Sequence, residues 1–362
     1  NEQLMKAAIL GLMNSGGISA MVTAGQKLLA LIASEKPAER ELAAVIIGEL
    51  GVTSFYKPLQ ALLKDSNNAV VCAAIVAAGK VRNEKLVPEL LQFYVTQQHH
   101  KLVLEALQHA GNAALKGIAD ALHHQALSQQ QQTKLIAVCG RIATAEAADL
   151  LESLVWSLPY LRSDVFKALN QCAYSLGQHN RDRHLHLTQQ YLHTASRITV
   201  MVRQLKADEH YNILASALEL ELLELRDSLL LMFSFLFDRE KMQRAKTGFQ
   251  LQRKESVANA LEIIEIEVPK DISLVFNRLF EPGSPEEKYT ALKTSANDTP
   301  DIEHILSAIL NDSEHHYHRW TKAAAVYTFR HYKGAQKTEW LQKAARHKDA
   351  LISETAGQLL NT

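Results

Sequence analysis

Glycine recurs at Gly17, Gly48, Gly79, Gly111 and Gly140, at spacings of 31, 31, 32 and 29 residues, and this interval constrains the fold more than any other feature. A fixed period of a few tens of residues marks stacked supersecondary units. Around the glycines the text recurs: Ala43-Ala44, Ile47-Gly48 and Pro58-Leu59 match Ala73-Ala74, Ala78-Gly79 and Pro88 with Leu90-Leu91. Each unit reads as two helices and a short turn. Small residues in the first helix permit close approach, the glycine is expected to supply a left-handed C-terminal position, and the second helix presents leucines at helical spacing. Such a unit cannot bury both faces alone, so stacking must supply the core, and the expected product is an all-α superhelix, or α-solenoid, with essentially no strand. The composition agrees: 15 Gly and 8 Pro among 362 residues are too few for the turns of a sheet-rich fold, while 47% apolar residues suffice for a core.

The rhythm breaks after Gly177. Apolar residues then fall at Leu187, Tyr191, Ala195, Ile198, Val202 and Leu205, and after a short polar link they resume from Leu214 to Leu236 in steps of three and four. This spacing predicts two long helices folding back on each other, a hairpin between Arg181 and Phe237 that interrupts the repeats. Further on, Pro269 opens a helix, Ser284-Pro285-Glu286-Glu287 has the form of a capping box, and Thr299-Pro300-Asp301 repeats the device. Three segments are expected: repeats over 1–177, the hairpin and following helices over 178–282, and further repeats over 283–362.

With 39 Lys+Arg against 39 Asp+Glu, the formal charge is zero, which argues against a mainly electrostatic nucleic-acid binder. Cys72, Cys139 and Cys172 each lie beside a small residue in an expected helix and read as inert core thiols in a reducing compartment. The most apolar run, Leu229 to Phe237 between Asp227 and Asp238, is far short of the roughly 20 residues that span a bilayer. Asn1 is followed by no charged-then-apolar leader, and Ala350 to Leu360 reads as the opening helix of a further unit, so the chain is expected to be a piece of a longer protein.

The histidines at His99-His100, His123-His124 and His315-His316-Tyr317-His318 suggest metal ligands, but neighbours on a helix point about 100° apart and helical ligand pairs need spacings of three or four. Only His315 and His318 satisfy that, with Glu314 as the nearest acid, so a solvated, pH-sensitive loop is the expectation and no metal or cofactor is assigned. Glu209-His210, Glu303-His304 and Glu314-His315 do not occupy equivalent repeat positions, which argues against a di-iron centre. Asn14-Ser15-Gly16-Gly17 lacks the Lys-Ser or Lys-Thr of a phosphate loop and reads as a helix stop. Charge is more informative. Glu219, Glu221, Glu224 and Asp227 with Arg226 give a local balance of −3, whereas Arg239, Lys241, Arg244, Lys246, Arg253 and Lys254 with Glu240 give +5. The two sets read either as solvated or mutually paired faces, or as a docking patch formed by the six basic residues for an acidic partner or anionic headgroups.

Arg40 with Ala43-Ala44 and Ile47-Gly48, Leu62-Leu63-Lys64-Asp65, and Val70 with Ala73-Ala74 resemble HEAT-repeat proteins. Asn259-Ala260-Leu261-Glu262-Ile263-Ile264 and Leu351-Ile352 with Glu354-Thr355-Ala356 more narrowly resemble the helical region of bacterial proteins similar to the ATP/ADP translocases, the nucleotide carriers. The resemblance implies a HEAT/armadillo-like α-α superhelix that follows a transporter-like membrane part and precedes a regulatory domain similar to cyclic-nucleotide-binding domains. It implies a cytoplasmic setting tethered to the inner membrane through a parent protein. The expected function is a non-enzymatic scaffold making protein or interdomain contacts, with no nucleic acid. A free-standing HEAT-like enzyme acting on a nucleic-acid base or a tetrapyrrole, and a generic adaptor without a membrane partner, are the alternatives.

Overall fold

A computed structural model describes residues 2–124, 126–292, 300–312 and 317–360. Among them are twenty-one α-helices, five single turns of 3-10 helix and no strand: an all-α solenoid with a long helical hairpin. The chain divides into two compact units, Asn1–Ser157 with Lys167–Ala173, and Leu158–Phe166 with Tyr174–Thr362.

The first unit holds α1 (Glu2–Ser15), α2 (Ile18–Ile32), α3 (Pro37–Leu50), α4 (Tyr56–Leu62), α5 (Asn68–Val81), α6 (Val87–Val95), α7 (His100–Ala110), α8 (Asn112–His124), α9 (Gln129–Ile142) and α10 (Ala145–Ser157). Helices α1, α3, α5, α7 and α9 pack in succession as one layer, and α6, α8 and α10 pack in succession as another. Local chemistry sets the starts. Asn67 accepts the Ala69 N–H at 2.9 Å to cap α5, and Ser128 with Gln131 closes a capping box on α9.

The periodic glycines do different work from that expected of them. Gly48, Gly79 and Gly140 lie inside α3, α5 and α9, where a Cβ would sit 2.9 Å from the Ala77 Cα, 2.6 Å from the Ala106 carbonyl oxygen and 2.9 Å from the Ala168 Cα. They let consecutive helices of one layer touch backbone to backbone. The left-handed positions fall three residues later, at Gly51, Arg82 and Ala143, with φ of 61°, 54° and 55°. Gly111 alone of the five is a positive-φ residue, at φ 61° and ψ −136°, and Gly17 is an extended N-cap.

An ion pair between Arg40 and Asp65 ties successive repeats. Arg40 on α3 donates from Nε and Nη2 to both carboxylate oxygens of Asp65 at 2.6 and 2.9 Å, and from Nη1 to the Ser34 carbonyl at 2.8 Å. Asp65 in turn accepts the Asn67 N–H at 2.8 Å, just ahead of α5. The hydrogen bonds from Arg40 hold the Asp65 carboxyl below its ordinary value of 3.8. A carboxyl depressed in the folded state adds stability above its unfolded pKa and loses it as pH falls through the folded one, so this contribution declines progressively as pH falls below about 4. Asp65→Asn is therefore expected to flatten the acid limb of the first unit's stability. Urea midpoints read by Trp156 fluorescence, with Trp320 and Trp340 replaced by phenylalanine, check this between about pH 5 and pH 3. An acid limb identical to that of the parent protein would remove the pair from the account.

Helix α11 (Arg162–Gln171) gives its first residues to the second unit and the rest to the first. The second unit is built on α12 (Gln178–Leu205) and α13 (Asn212–Leu236), joined by a single turn at Glu209–Tyr211 and packed along each other as the expected hairpin. Then come α14 (Arg239–Leu251), α15 (Lys254–Glu267), α16 (Lys270–Phe280), α17 (Pro285–Leu292), α18 (Ile302–Leu310), α19 (Arg319–Tyr327), α20 (Lys337–Ala345) and α21 (Ala350–Leu360). Helix α12 carries α16, α17 and α18 on its flank, and α13 carries α14 and α19. Residues 229–236 are buried on every face, with the Phe233 ring 5.3 Å from Phe276 and the Phe235 ring 6.2 Å from Phe166. A helix apolar all round belongs in a core, and this stretch is one.

The capping box at Ser284 is present: Glu287 accepts the Ser284 N–H at 2.7 Å, and Ser284 Oγ accepts the Glu287 N–H. The second device differs. Thr299 lies outside the described residues, and Asp301 is the N-cap of α18, accepting the His304 N–H at 2.8 Å. A carboxylate at that position competes successfully for the orphan amides. Cys172 lies one residue past α11 rather than inside it, with Cys139 buried and its thiol pushed up to about 12 by desolvation.

Candidate functional site

The first half of α13 is amphipathic, and its polar face places two carboxylates one turn apart. Glu221 points inward and is 4% exposed, whereas Glu224 stands in solvent. At the start of α19, His318 brings its backbone and its ring to the same point. The Glu221 Oε1 atom accepts the Thr321 hydroxyl at 2.5 Å and the His318 N–H at 2.8 Å. The His318 Nε2 lies 2.5 Å from Glu224 Oε2 and 3.7 Å from Glu221 Oε2. Desolvation drives the Glu221 carboxyl above its ordinary value, and the hydrogen bond that the His318 ring donates to Glu224 raises His318. The three side chains line a small groove of about 100 Å³ together with Tyr160, Arg162, Gln190, Tyr191 and Thr194. Burial pushes the Tyr191 phenol up to about 12, and Arg162 hydrogen-bonds it.

The acid nearest to His318 in the chain, Glu314, lies with His315 and His316 outside the described residues. The partners that the fold supplies are Glu221 and Glu224, on the hairpin. The i,i+3 spacing of those two carboxylates was the available signal.

The six basic residues named from the sequence occupy α14 and the turn into α15. Arg244, Arg253 and Lys254 are exposed, while Arg239, Lys241 and Lys246 are half-buried. Lys241 pairs with Glu267 at 2.5 Å, and Arg239 donates to the Tyr174 carbonyl at 3.2 Å. Nearby acids find partners of their own: Glu219 bonds Lys206, Glu224 bonds His318 and Asp227 bonds Arg226. Glu240 within the basic stretch and Glu255 just after it are exposed, and Leu251, near the end of the stretch, is 55% exposed, next to Gln252 in a left-handed turn. Elsewhere, His99 approaches Cys72 with Nδ1 at 3.6 Å from Sγ, and His123 bonds the Ala119 carbonyl and Ser157.

No curated protein matches the chain. Among solved structures, the crystal structure of an engineered protein is similar, at 13% identity over 100% of this chain and 95% of that chain, with a TM-score of 0.29. A family model described as HEAT repeats matches residues 25–111, the stretch in which α3, α5 and α7 stack through Gly48 and Gly79 and in which Arg40 pairs with Asp65.

Proposed function

We propose that the chain is a non-enzymatic helical-repeat scaffold that holds a protein partner or a neighbouring domain. The observation that carries this reading is the repeat stack over the matched stretch, where glycine contacts and the Arg40–Asp65 pair tie each unit to the next. A repeat array of this kind offers an extended binding surface on a rigid frame. The proposed docking surface is the basic stretch of α14 and α15. With Arg244, Arg253 and Lys254 exposed on the same stretch as exposed Leu251, and with Glu240 and Glu255 diluting the charge, it suits an acidic protein segment carrying one apolar side chain better than a lipid surface. Lipid attraction grows by about 1 kcal/mol per basic residue near the surface and rewards an undiluted cluster.

The expected result is salt-sensitive binding of a fluorescent acidic peptide, a glutamate-rich sequence with a central leucine, and weaker binding to phosphatidylserine vesicles. The Arg244→Glu, Arg253→Glu and Lys254→Glu triple variant should lose at least about tenfold in peptide affinity with its helix content unchanged. Equal binding by the variant and the parent protein would remove the patch, and stronger binding to vesicles than to peptide would transfer it to a membrane role. The nucleotide-carrier-like setting is supported by the sequence resemblance alone. Among the described residues no helix is long and apolar enough to cross a membrane.

A further inference from the structure

We propose that Glu221, Glu224 and His318 bind a divalent transition-metal ion, which clips α13 to the start of α19 and turns its free coordination positions toward the groove. Three ligand atoms, one from each side chain, lie within 4.8 Å of one another. An ion held at about 2.0–2.2 Å from imidazole nitrogen and carboxylate oxygen separates its ligands by about 3–3.5 Å. The 3.7 Å from His318 Nε2 to Glu221 Oε2 is close to that, and the 2.5 Å to Glu224 Oε2 opens to it by a rotation of an exposed side chain.

Charge and orientation point the same way. Two ionised carboxylates around one imidazole carry a net negative charge whether or not the ring is protonated, in a cluster whose Glu221 is 4% exposed. A buried carboxylate left partly uncompensated is costly, and a divalent ion in place of the imidazolium proton brings the three side chains to neutrality. Asp164 adds negative potential at His318, while Arg162, which also lines the groove, is engaged with Tyr191. Glu221 is also held in place before any ion arrives. Thr321 and the His318 N–H occupy Oε1, so Oε2 is left to face the ring nitrogen, which is the outer support that orients a metal-ligating carboxylate. One nitrogen and two oxygens favour zinc or manganese over calcium or magnesium, which bind through oxygen alone. Three protein ligands beside a groove leave room for water or for a partner's donor group, as closed four-ligand structural sites do not.

The test uses Zn²⁺ and the full chain, with calorimetry for affinity and ¹⁵N-histidine NMR to locate the site among 16 histidines. One equivalent of Zn²⁺ is expected to bind in the micromolar range and to move the His318 Nε2 resonance. Glu224→Gln and His318→Gln should each weaken that event by about tenfold or more. Because Glu224 stands in solvent, Glu224→Gln keeps the fold and decides the matter if His318→Gln does not. Unchanged binding in Glu224→Gln, an unmoved His318 resonance, or no event up to about 1 mM would each overturn the proposal.

Discussion

Truncating Leu229, Met232 or Phe233 to alanine is expected to destabilise the second unit by about 2–5 kcal/mol, with Phe233 at the upper end. All three side chains are 0% exposed, and they belong to the stretch of α13 that is enclosed on every side. The loss has two parts: the transfer free energy of the removed methylenes, and the cavity that surrounding helices fail to fill. Collapse is hindered here because Phe233 meets Phe276 at 5.3 Å and Phe237 at 6.0 Å, and Phe276 meets Phe249 at 6.0 Å, so one ring cannot shift without disturbing the others. The same helix supplies its own control. Leu220 and Leu223 are 57% and 45% exposed, and their truncation should cost less than about 0.5 kcal/mol. Urea unfolding followed by Trp340, with Trp156 and Trp320 replaced, reports on this unit. Equal small costs at Leu229 and Leu223 would mean that the apolar run faces a partner rather than the core.

What the sequence exposes and what it hides follow from how far apart the interacting groups lie. The hairpin was legible because steps of three and four from Leu187 to Leu205 and from Leu214 to Leu236 are local, and the capping box at Ser284 and Glu287 spans a single turn. The glycine period was legible but its cause was not. Whether Gly79 ends a helix or touches the next one depends on the register between α5 and α7, and no local pattern encodes that register. Arg82 and Ala143 hold left-handed positions that composition would have assigned to glycine, so the tertiary frame overrides the local preference there. The pairing of charges was hidden for the same reason. Glu221, Glu224 and His318 meet only because α19 packs on α13, and the half-burial of Arg239, Lys241 and Lys246 reflects the packing of α14 against α13 and α15.

Gly79→Ala should destabilise the first unit by about 1–3 kcal/mol even though the same change usually favours a helix. Gly79 lies in the last turn of α5, where alanine would gain up to about 1 kcal/mol of helix propensity. Opposing this, the new methyl would sit 2.6 Å from the Ala106 carbonyl oxygen and 2.8 Å from its Cα. Those atoms are backbone of α7, so no side-chain rotation relieves the clash, and α5 and α7 have to move apart. Close-packed helices lose dispersion along the whole contact when they separate by even a fraction of an ångström. In a repeat stack the loss falls on an interface that the neighbouring units share. Gly25→Ala isolates the propensity part: it is also within a helix, α2, but nothing lies within 4 Å of its Cβ position, so that variant should be stabilised. Opposite signs for the two variants in urea unfolding followed by Trp156 would establish that the period of the glycines records helix-to-helix contact. Stabilisation by both would mean that α5 and α7 are not in that contact.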